Sequence, residues 1–93
     1  MAREGDVPDD RLLLQALVHG DAAALLLLHG RYAGCIGTLA EREGLSDPGQ
    51  AVEDAFMLIF HSAGCFARSE LPPAIWIVGT ALWHFRRMRI DAA

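Results

Sequence analysis

The side chains able to carry chemistry in this chain are few and scattered. His29, His61, His84, Cys35 and Cys65 are candidate metal ligands by type, with His61 and Cys65 four residues apart. Structural zinc sites pair their ligands at short spacings such as C-x2-C. No such pair occurs, and the two thiols read as packed small apolar groups beside surface histidines rather than as a metal centre. Ser46, Ser62 and Ser69 stand in no nucleophile elbow, and no glycine-rich phosphate loop follows a strand pattern. Glu53 and Asp54 are neighbours, so on a helix they diverge by about 100° and do not form a facing acid–base pair. An enzyme is not expected, and neither is a cofactor or a metal.

What remains is charge placed for binding. All 8 basic residues are arginine, against 12 acids, for a net charge of -4. Arg86, Arg87 and Arg89 lie near the end of the chain, while Glu41, Glu43, Asp47, Glu53 and Asp54 cluster in the middle. A basic end and an acidic middle suggest two different partner surfaces. The composition is 53% hydrophobic, which excludes intrinsic disorder and exceeds what one core of 93 residues needs. Two cysteines make no disulfide framework. The start of the chain has no apolar signal region, and the apolar stretch Leu71 to Phe85 is too short and interrupted to span a bilayer. A cytoplasmic setting, with no membrane partner, is the expectation.

The elements that must position these residues are helices. Residues 1–8 read as an acidic tail and 9–93 as one domain. Asp9 or Asp10 caps a first helix carrying Leu12, Leu13, Ala16 and Leu17 and stopping near Gly20. Asp21 caps a long second helix that ends at Gly44. Within it Gly30, Gly34 and Gly37 predict either close approach of another helix or a break. Asp47, Pro48 and Gln50 form a capping-box start for a third helix, whose apolar face is Val52, Ala55, Phe56, Ile59, Phe60 and Ala63. Gly64 is expected to end it. A loop from Cys65 to Leu71 then leads to Pro72-Pro73, which open a fourth helix ending at Arg89. That helix is apolar nearly all round, and Trp76 is expected to be buried in the core. The fold class is all-α, a bundle of about four helices.

The order of these parts resembles region 2 of ECF-type RNA polymerase sigma factors. Asp10-Arg11-Leu12-Leu13-Leu14, Gly20-Asp21 with the aliphatic run, and Arg31-Tyr32-Ala33 match its opening. Val52-Glu53-Asp54-Ala55-Phe56 stands where the family reads V-Q-E-V-F. Phe66 followed by Ala74-Ile75-Trp76-Ile77-Val78 looks like its F…AWL segment, and Arg86-Arg87-Met88-Arg89 its basic end. The similarity spans roughly residues 9 to 90. It implies a bacterial transcription-initiation domain that docks on the clamp helices of the core polymerase β-prime subunit through Gln50, Glu53 and Asp54. It further implies contacts from Arg68, Arg86, Arg87 and Arg89 to the single-stranded minus-ten promoter element, weak in the isolated domain, and regulation by an anti-sigma factor. Gly79, Leu82, Trp83 and Arg87 replace residues the family uses along helix four to read DNA, and no helix-turn-helix follows within the 93 residues. The expectation is one domain of a longer factor or a shortened relative. The alternative is a degenerate sigma-like regulator that has lost promoter reading and acts through protein binding or homodimerisation on helix four.

Overall fold

A computed structural model describes residues 9–92; the expected tail, 1–8, lies outside them. Those residues form four helices: α1 (Asp10–Val18), α2 (Ala22–Arg42), α3 (Pro48–Ser69) and α4 (Pro73–Ala92). There is no strand among them, so the all-α bundle of four helices is the fold.

Three aspartates start three helices by the same device. Asp9 accepts from the Leu12 backbone N–H at 2.9 Å, Asp21 from Ala23 and Ala24, and Asp47 from Gln50 at 3.1 Å. Each satisfies a donor that the first turn cannot pair internally. The capping box at α3 is only half formed. Gln50 does not reach back to the cap; its amide donates instead to Asp54 Oδ1, one turn on, at 2.9 Å. Gly20 and Gly44 stop α1 and α2 with φ of 80° and 74°, a conformation that other residues adopt with strain.

α3 does not stop at Gly64. It runs on to Ser69 because its apolar face continues through Ala63 to Phe66, both buried. Burying a phenylalanine outweighs the ~1 kcal/mol that one helical glycine costs. The expected loop is therefore mostly helix. The stop comes at Glu70, in the left-handed region at φ 58°. There the Ser69 hydroxyl donates to the Phe66 carbonyl and accepts from the Leu71 N–H. α4 likewise extends past Arg89, to Ala92.

The long α3 is the centre of the bundle and packs against all three other helices. α4 lies antiparallel to it: Phe66 near the end of α3 meets Trp76 near the start of α4, while Gln50 and Ala51 at the start of α3 share a hollow with Met88 and Arg89 near the end of α4. The largest fully enclosed side chains are Leu14, Leu28, Ile36, Ile59, Ile77 and Phe85, drawn from every helix. Trp76 is buried, edge-on to Phe66 with centroids 5.8 Å apart. By length and composition α2 is the one described helix that could cross a bilayer; here Ala24, Leu28, Ile36 and Ala40 pack into the core.

The glycines of α2 serve neither expected purpose. The helix is unbroken, and a Cβ added at Gly30 or Gly34 would meet nothing within 4 Å. Gly37 makes an ordinary contact, 3.9 Å to Val52 Cγ2. With no approach to protect, Gly34→Ala is expected to stabilise the protein by about 0.5–1 kcal/mol. A thermal melt should show a Tm a few degrees higher; an unchanged or lower Tm would contradict this reading of the site.

Candidate functional site

The polar and acidic residues Gln50, Glu53 and Asp54 were expected on one face of the third helix, and that helix begins just before them. Val52, Ala55, Phe56 and Ile59 turn inward, which leaves Gln50 and Glu53 exposed and Asp54 half-buried. Glu53 is not a bare charge. Its carboxylate lies 3.1 Å from His29 Nε2 on α2, and the His29 ring rests on Phe56 with centroids 4.7 Å apart. Around this pair a shallow hollow of about 180 Å³ is lined by Leu25, Leu26, His29, Glu53, Phe56 and Met57. Leu26 is 74% exposed and Met57 is exposed beside it. The Glu53 carboxylate is thus flanked by open apolar side chains.

The basic residues are not gathered in one place. Arg68 lies in the last turn of α3, not in a loop, with its guanidinium 3.5 Å from Cys65 Sγ. Arg86, Arg87 and Arg89 lie toward the other end of α4, about 20 Å away along its axis at 1.5 Å per residue. Two of these three face an acid of their own chain. Arg86 Nε and Arg89 Nη1 stand 3.6 and 3.3 Å from Oε1 of Glu43, which follows the last turn of α2. Arg87 lies over the Trp83 ring, 5.2 Å from its centroid. The acidic and basic segments are also not two separate surfaces. Antiparallel packing brings them to one end of the molecule, where Gln50, Ala51, Met88 and Arg89 share the walls of one hollow.

Comparison of the chain with protein-family models, with curated proteins and with solved structures finds no match.

The thiols are not packed, contrary to expectation. Cys35 and Cys65 are both exposed, on α2 and α3 respectively, because each falls on the solvent side of its helix. No group of three or more His, Cys, Asp or Glu residues is placed to hold a metal ion among the described residues. The most developed concavity is apolar, about 610 Å³, and runs between α3 and α4. Leu58, Cys65, Leu71, Ile75, Trp76 and Trp83 contribute to it. Its lining is mainly apolar, so it suits apolar side chains.

Sequence reasoning singled out Glu53 and Asp54 but missed Leu26, His29 and Met57, which complete their surface. The signal for Met57 was available: it stands four residues after Glu53, one turn along α3. The signal for Leu26 and His29 was not, since they sit on a different helix.

Proposed function

We propose that this chain is a docking module of the sigma region 2 kind, binding the β-prime clamp helices of RNA polymerase in transcription initiation. The observation that carries the reading is the exposed Glu53 carboxylate, with Gln50 and Asp54 on the same N-terminal stretch of α3 and open Leu26 and Met57 beside it. Such a face suits a partner helix bearing arginines and aliphatic side chains. The negative charge steers encounter and selects the partner, and the apolar neighbours supply the desolvated contact. In this reading single-stranded promoter DNA is a weak secondary ligand, held by Arg87 with the Trp83 ring and by Arg68, and an anti-sigma factor is a natural competitor.

The test is a titration of the 93-residue chain against an isolated β-prime clamp-helix fragment. Binding is expected, and the double variant Glu53→Arg, Asp54→Arg should weaken it by at least about tenfold, the signature of lost charge complementarity. Absence of binding, or binding indifferent to the reversal, overturns the proposal.

One observation favours the alternative of a regulator that no longer reads promoters. Arg86 and Arg89 are turned onto Glu43, and the outward side of α4 between Ile75 and Trp83 is apolar. Titration with a single-stranded minus-ten oligonucleotide separates the two. No change in tryptophan emission at any concentration reached would favour the regulator.

A further inference from the structure

α4 carries two apolar seams, only one of which the chain itself covers. Ile77, Ala81 and Phe85 are fully buried. On the opposite side Ile75, Gly79, Trp83, Arg86 and Ile90 fall within a stripe about 80° wide at 100° per residue, apolar apart from Arg86, whose guanidinium is turned to Glu43. Ile75 and Trp83 are 58% and 55% exposed. Trp83 stands between two hollows, the 610 Å³ groove toward α3 and a second of about 350 Å³ on its other side, and both are also lined by Gly79. An opposite charge lies at each end of the stripe. Exposed Glu70 precedes α4, and exposed Arg87 follows Trp83. Among the described residues neither has an oppositely charged partner; Arg87 only stacks on Trp83. The α4 stretch from Pro73 to Arg87, about 21 Å of helix axis, separates them, too far to meet within one chain.

We propose that this stripe pairs α4 with α4 of a second copy of the chain, antiparallel about a two-fold axis at Gly79. The register follows from the spacing. Ile75 and Trp83 lie four residues to either side of Gly79, so each Trp83 falls against the other copy's Ile75, at the mouth of the larger groove. Glu70 and Arg87 lie nearly equal distances either side, so each Arg87 meets the other copy's Glu70. An isologous contact satisfies every element twice with residues already present. Gly79 suits the centre. A Cβ there would meet nothing within 4 Å, so the α4 backbone is bare at the crossing and a partner helix can come close. The charged pairs sit at the rim, where they set register and partner choice. The hollows along this stripe share no residue with the hollow around Glu53, so the pairing is tested independently of polymerase docking.

Sedimentation of the 93-residue chain across micromolar to near-millimolar concentrations is the test. The mass should rise from 10.1 kDa toward twice that value, as expected for a small, weak interface. Glu70→Arg and Arg87→Glu should each weaken the dimer by at least about tenfold, because each sets like charges against one another at two symmetric places. The double variant Glu70→Arg, Arg87→Glu should restore it. Both positions are exposed, and an unchanged helical circular dichroism spectrum checks that the variants fold. A chain that stays monomeric throughout, or a dimer indifferent to the single reversals, overturns the proposal. So does a double variant that fails to recover association, which would point to another occupant of the stripe.

Discussion

Trp76→Ala is expected to destabilise the domain by about 3–5 kcal/mol, and Trp83→Ala, seven residues further along the same helix, by about 1 kcal/mol or less. Seven residues are nearly two full turns, so the two rings project from almost the same side of α4. Their fates differ because of what lies across from them. Trp76 is 8% exposed, closed over by Phe66 from the last turns of α3. At the level of Trp83, α3 offers no aromatic cover and leaves the open groove. Truncating Trp76 therefore leaves a cavity in the core and removes an aromatic pair. Truncating Trp83 removes a surface ring and its stack with Arg87. For a domain of this size the first loss is a large share of a total on the order of 5–14 kcal/mol. Urea unfolding at low micromolar concentration, where self-association does not contribute, gives both values. Equal losses for the two variants would mean that the ring at position 83 is also part of the core.

The same pair of residues shows what the sequence can and cannot disclose. Periodicity identifies α4 as apolar but treats Trp76 and Trp83 alike, since burial is decided by a neighbouring helix and not by the helix itself. Helix starts were legible because Asp9, Asp21 and Asp47 act within three residues of their own position. The end of α3 was misread because Gly64 is a local signal, while the burial of Phe66 that overrides it depends on α1 and α4. Arg11 of α1 lies over the Phe66 ring at 5.2 Å, and Trp76 of α4 meets its edge. The candidate site divides in the same way. Glu53, Asp54 and Gln50 share one stretch of α3 and could be grouped by spacing alone. Their companion His29 comes from α2, and the anchoring of Arg86 and Arg89 by Glu43 spans more than 40 residues of chain. No pattern in a single segment encodes such a contact.

A second large effect is expected at the junction of α1 and α2. Asp10 Oδ1 lies 2.6 Å from Arg31 Nη1, and the Tyr32 hydroxyl donates to Asp10 Oδ2. One carboxylate in the first turn of α1 thus ties two consecutive residues of α2, and its charge also suits the positive end of the α1 dipole. Asp10→Ala removes two charge-assisted hydrogen bonds in a partly buried setting and should cost about 1–3 kcal/mol. The phenol supplies an independent readout. Burial first, and then the hydrogen bond and negative charge of Asp10, push the Tyr32 pKa up from 10.0 to about 12, with Arg31 acting in the opposite sense. The folded state therefore favours the protonated phenol. Its contribution to stability is fully present below about pH 10, and it is lost as pH rises through about 12. Tyr32 is the single tyrosine, so tyrosinate absorbance follows it without interference. In the native chain that titration should be displaced upward toward 12. In Asp10→Ala it should fall back without reaching the free value, because the burial that contributes most is untouched. A native phenol titrating at its ordinary value, or an Asp10→Ala variant with unchanged stability, would show that α1 is held by its leucines alone.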